Sequence, residues 1–138
     1  MLIKTRRWND PIEPDDGTRL LVCRFRPRAL RKADETWDEW HKDLAPSPDL
    51  LADFQGKHGS SIGWARYKTR YLAEMRGHSE AVRELARRAT TGETLTLLCS
   101  SSCLDPERCH RTVLRNLIEA AAKRRDDGRA TGRTRSVR

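Results

Sequence analysis

The stretch Leu95–Ala122, LTLLCSSSCLDPERCHRTVLRNLIEAAA, decides the fold. It opens on a short apolar run containing a β-branched Thr, passes into a polar loop, and then carries apolar residues at three-and-four spacing. That order predicts strand, loop, helix. Asp105 can accept hydrogen bonds from free N–H groups and Pro106 suits the first helical position, so the helix is expected to begin there. Cys109, Val113, Leu117 and Ala121 then share one stripe, with His110, Leu114 and Ile118 beside it, facing the sheet. In open α/β folds the carboxyl end of a strand running into a helix N-terminus is where ligands bind, because unpaired N–H groups and the helix dipole attract anions. Three of the four cysteines, Cys99, Cys103 and Cys109, and one of the four histidines fall in this segment.

Outward from that stretch, Leu2 and Ile3 open a first strand that ends at the turn Asn9–Pro11, and Pro11–Gly17, PIEPDDG, reads as loop. A second strand, Arg19–Cys23, is nearly all apolar, as expected where both faces are covered. It runs into Arg24-Phe25-Arg26-Pro27-Arg28, three guanidiniums at a strand end. Four helices are expected before the final strand. Asp34 caps the first, carrying Trp37, Trp40, His41 and Leu44, and Ser47-Pro48 starts the second, stopped by Gly56. Ser60 or Ser61 caps the third, with Trp64, Tyr67, Tyr71, Leu72 and Met75 inward. Ser79 caps the fourth, with Val82, Leu85, Ala86 and Ala89 inward and Gly92 past its end. The tryptophans Trp37, Trp40 and Trp64 are spaced as core anchors.

The chain of 138 residues is 36% hydrophobic and 35% charged, which fits one domain with a modest core. Its net charge of +8 is uneven: Lys123–Arg138 holds seven basic and two acidic residues, leaving +3 for residues 1–122. The expected organisation is a three-layer α/β domain over 1–122, with a small, mostly parallel sheet flanked by helices, and a basic, disordered tail over 123–138. The tail could contact nucleic-acid phosphates without sequence preference, but no helix-turn-helix, zinc-finger or RNA-recognition signature accompanies it. No stretch is long and apolar enough for a signal peptide or a membrane span, so the cytoplasm is the expected compartment.

Several blocks, in order, resemble one family: IKTRRWNDP, DGTRLLVCRFRPRAL, WHKDLAPSPDL, WARYKTRYLAEM and LTLLCSSSCLDPERCHRTVLRNLIE. Together they resemble the DUF488 family, and most of all its YeaO-like branch, over roughly residues 2–120. The resemblance implies an α/β bacterial protein of the cytoplasm and no settled activity. The family's D-R-x-W-P-R-G stretch stands here as Cys23–Ala29, which keeps both outer arginines and the proline and lacks the Asp, the Trp and the Gly.

The candidate site joins the two strand ends. Arg24 and Arg28 from one, with Ser100, Ser102 and Arg111 from the other, are expected to bind an anionic small molecule or a nucleotide phosphate, if the strands are neighbours. Against this, arginines on a chain rich in both signs often pair with Asp and Glu. As an enzyme the chain would use Cys103, near Arg108 and Arg111, as nucleophile, or His110 as acid/base. Cys99, Cys103, Cys109 and His110 are donors that suit zinc or iron, yet C-x3-C-x5-C-H is no standard knuckle and adjacent Cys109 and His110 rarely reach one ion. No metal is therefore assigned, and Cys23 and Cys109 are read as small core residues.

Overall fold

Leu95–Cys99 is buried along its whole length because it takes a partner strand on both edges. The computed structural model describes the backbone of residues 3–137 and the side chains of residues 3–128. Leu2, expected in the first strand, and Arg138 lie outside the described residues, as do the side chains of the basic segment beyond Gly128. The strands are β1 (Ile3–Arg7), β2 (Thr18–Leu21), β3 (Glu39–Trp40) and β4 (Leu95–Cys99), in the order β1-β4-β2-β3. Every pairing is parallel, with Ile3 opposite Leu95 and Leu20 opposite Leu97. The adjacency of β2 and β4, on which the composite site depends, is therefore present.

The alternation along the strands gives the sheet two unlike faces. Ile3, Leu20, Val22, Leu95 and Leu97 join one apolar cluster with Tyr71, Leu85, Leu114 and Ile118 from the helices. Those helices are α1 (Pro48–Gln55), α2 (Trp64–Arg76), α3 (Ser79–Thr90) and α4 (His110–Val137). The other face presents Lys4, Arg6, Arg19 and Thr96, and irregular chain covers it. There Asp16, 1% exposed, accepts hydrogen bonds from Lys4 Nζ at 2.7 Å, Arg19 Nη1 at 2.5 Å and the Glu13 amide at 3.0 Å. Trp8–Gly17, with Thr36 and Trp37 against it, thus covers this face around one buried carboxylate.

The expected helix after Asp34 does not form. Its residues make two 3-10 turns, Lys32–Asp34 and Lys42–Leu44, on either side of β3. The free edge of β2 takes the segment instead: Asp38 N–H donates to Arg19 O and His41 N–H to Leu21 O, both at 2.8 Å, while Asp38 accepts from the Arg19 amide. An unpaired edge is costly, and this tertiary pairing overrides the helical spacing. Trp37 packs edge-on against Trp8, and Trp40 is 39% exposed rather than a core anchor.

Helix starts also differ in detail. Ser47 caps α1 through the Leu50 amide and Gly56 ends it in the left-handed region, as expected. However, α2 starts after Gly63 with no side-chain cap, and Ser79 is the first residue of α3 rather than its cap. Asp105 caps only a 3-10 turn, Pro106–Arg108; Cys109 is then extended and α4 begins at His110. At the far end α4 continues as helix to Val137, where the sequence reading expects disorder. Ala120–Arg125 are good helix formers, and no proline stops the helix once it has started.

Candidate functional site

A cleft of about 770 Å³ opens at the carboxyl ends of β2 and β4, between Cys23–Arg28 and Ser100–Arg108. Four arginines line it, Arg24, Arg26, Arg28 and Arg108, against the single carboxylate of Asp105. Arg24 donates through Nε to Pro46 O and through Nη2 to Ala45 O, both at 3.0 Å. Two neutral carbonyls fix this guanidinium in place without neutralising it. Arg26 is spent on Glu35, at 2.8 Å, whereas Arg108 meets a carboxylate only at 4.0 Å, on Asp105. Phe25 and Leu104, 62% and 76% exposed, sit at the mouth. Nothing in the sequence pattern singled out these two; in strand-and-loop context an isolated apolar residue gives no period to read.

On the floor, the thiols gather. Cys99, Cys103 and Cys109 hold their sulfurs within 4.8 Å of one another, and Cys99 and Cys109 approach to 3.3 Å. The extended Cys109 makes this possible, because it turns the chain back toward the end of β4 before α4 starts. Cys23 follows β2 and lines the same cleft. All four cysteines are free thiols. The neighbouring Cys109 and Cys99 thiols hold Cys103 toward its thiolate, with the Arg111 guanidinium adding favourable charge. These two neighbours, in turn, stay protonated.

His110 lies behind these thiols. Burial pushes its pKa down, so the ring is neutral, and Nε2–H donates to Val22 O at 2.7 Å. That assignment leaves the Nδ1 lone pair facing Cys99 Sγ at 3.9 Å. Tyr71 packs edge-on against the imidazole and donates its O–H to Leu44 O.

The structure brings Arg24, Arg28, Ser100, Ser102, Cys103 and His110 onto one cleft. The Ser100 and Ser102 hydroxyls are bonded to each other at 3.0 Å. Arg111 is not part of the cleft wall: it is 5% exposed, acts electrostatically on Cys103 and Asp10, and its Nε and Nη1 have no hydrogen-bond partner among the described residues.

A small parallel α/β domain with a basic, thiol-floored cleft at the strand ends is the class that fold and site define. The chain belongs to the DUF488 family: the DUF488-N3a model, described as "Active DUF488-N3 subclade", matches residues 3–122. It is similar to the uncharacterised protein YeaO of Escherichia coli (strain K12), 40% identical over 101 residues that cover 73% of this chain and 84% of that protein. It is also similar to the uncharacterised proteins Mb3100c of Mycobacterium bovis and Rv3073c of Mycobacterium tuberculosis, each 30% identical over 116 residues, 84% of this chain and 92% of theirs. No solved structure matches. No helix among the described residues is long and apolar enough to cross a membrane.

Proposed function

We propose that the cleft binds a small phosphate-bearing molecule of the nucleotide class, with Arg24 and Arg28 on the phosphate and Phe25 on the planar part. One observation carries the reading: guanidinium charge lines the cleft in excess of carboxylate, and Arg24 is held there by carbonyls that leave its charge intact. Guanidiniums bind phosphate through paired, charge-assisted hydrogen bonds, and the carboxyl ends of parallel strands are where such ligands sit. An exposed aromatic ring at the mouth suits stacking on a base. Binding is favoured over catalysis by His110, since its Nε2–H is committed to Val22 O and its free nitrogen faces Cys99 rather than the half-exposed Cys103.

Calorimetric titration with adenosine monophosphate and with inorganic phosphate tests it. A charge-assisted hydrogen bond is worth about 1.5–3 kcal/mol, so Arg28→Gln is expected to weaken both ligands roughly 10- to 100-fold. Phe25→Ala is expected to weaken the nucleotide and spare inorganic phosphate. No measurable binding, or affinity indifferent to Arg28→Gln, overturns the reading.

A further inference from the structure

We propose that Cys99, Cys103 and Cys109 form a trithiolate site for a soft divalent transition metal, with zinc as the metal the geometry suits. Tetrahedral zinc holds thiolates at about 2.3 Å, which sets its sulfurs ~3.8 Å apart. The three sulfurs lie within 4.8 Å of one another and Cys99 and Cys109 approach to 3.3 Å, within about 1 Å of the spacing an ion requires. Three backbone states place them: the end of β4, the serine loop, and the extended residue ahead of α4.

The surroundings agree with such a centre. Behind the sulfurs, His110 is anchored by Val22 O at 2.7 Å, which fixes the wall against which Cys99 packs. The fourth coordination position has two sources. Cys23 lines the same cleft just past the neighbouring strand, and Cys103 faces the cleft opening, where a water or an anion can approach. Binding replaces the remaining thiol protons: one Zn2+ enters, three Zn–S bonds form, and the S–H protons pass to solvent. Three of the four cysteines thus converge on one point, which packing alone does not require of small residues. The proposal is independent of the phosphate reading, since none of these sulfurs is needed to hold a phosphate.

The test uses the whole chain, purified under reducing conditions, with Co2+ and Zn2+ as probes. The expected result is one equivalent of Co2+ per chain, with thiolate-to-cobalt charge-transfer absorption that Zn2+ bleaches, and a rise in melting temperature with Zn2+. Cys103→Ser, in a solvent-facing loop, and Cys109→Ser are each expected to lose that absorption and to weaken Zn2+ roughly 100-fold or more, beyond the usual cost of a supporting group. Cys23→Ser tells the two fourth-position sources apart: a changed cobalt spectrum assigns Cys23, and an unchanged one assigns the cleft side, the trithiolate standing in both cases. Arg28→Gln is expected to leave metal uptake unaltered, which separates this outcome from failure of the phosphate reading. Absence of stoichiometric binding, or binding that survives both Cys103→Ser and Cys109→Ser in folded protein, overturns the proposal.

Discussion

Asp16→Asn removes one charge from the buried layer beneath the sheet and almost nothing else. The native carboxylate meets Lys4 at 2.7 Å, Arg19 at 2.5 Å and Arg6 at 3.3 Å, and also accepts the Glu13 amide. Arg19 is itself buried; its other partners are the carbonyls of Thr36 and Asp10. The asparagine keeps the shape and can keep the Glu13 bond, but it leaves Arg19 as a buried cation without a counterion. Breaking a buried pair from one side costs about 3–5 kcal/mol. For a domain of this size that is a fall in melting temperature of roughly 10–20 °C, measurable by circular dichroism.

The pH dependence identifies the cause. Burial opposes ionisation of Asp16, yet the Glu13 amide, Lys4, Arg19 and Arg6 outweigh it and hold the carboxyl far below the ordinary carboxylate range. A group with a depressed folded-state pKa contributes stability that is fully present above its unfolded value, ~3.9, and lost as pH falls toward the folded one. The gap between wild type and Asp16→Asn is therefore widest near neutrality and narrows below about pH 4. A loss under about 1 kcal/mol, or a gap equal at acid and neutral pH, would refute the argument.

Two backbone substitutions have opposite expected signs. Gly17 sits at φ +64°, and a Cβ there would lie 2.3 Å from Thr94 O, the acceptor of the Thr18 amide that registers β2 against β4. Gly17→Ala is expected to cost about 2 kcal/mol or more from conformation and clash together, read by denaturant midpoint; a midpoint unchanged from wild type would sink this. Ala29, at φ +58°, carries a side chain in the left-handed region where the family's pattern has glycine. Ala29→Gly is expected to stabilise by about 0.5 kcal/mol, the relief of strain exceeding the added freedom of the unfolded chain. A destabilised Ala29→Gly protein contradicts the strain reading.

Local chemistry was readable in the sequence where it alone set the structure. Ser47-Pro48 and Gly56 bound α1, and the spacing through Tyr67, Tyr71 and Met75 marks the inner face of α2. β3 could not be read, since Glu39–Trp40 is a strand only by pairing with the edge of β2. The buried carboxylate was hidden by its surroundings, because PDDG spells a turn whatever Asp16 does. A trace of it existed: Lys4, Arg6 and Arg19 alternate with apolar or smaller residues, putting cations on one strand face, which either solvent or a buried anion would accommodate. The cysteines were visible, but their meeting was not. A helix begun at Pro106 would have carried Cys109 along its own stripe, whereas the 3-10 turn and the extended Cys109 swing its sulfur back to Cys99.

The two proposed activities of the cleft draw on different ranges of the chain. The thiols span only residues 99–109, so their site is assembled by one strand end, one loop and one turn. The arginines proposed to bind phosphate come from residues 24–28 and reach the same cleft because β2 pairs with β4. Loop closure between local ligands carries a small entropic cost, and between distant ones a larger cost met by the folded sheet. Substitutions that loosen β2, such as Gly17→Ala, should therefore weaken phosphate binding before they weaken metal binding. If both activities fell together, either the clash at Thr94 would have been passed along β4 to Cys99, or the metal would depend on Cys23, the thiol that follows β2.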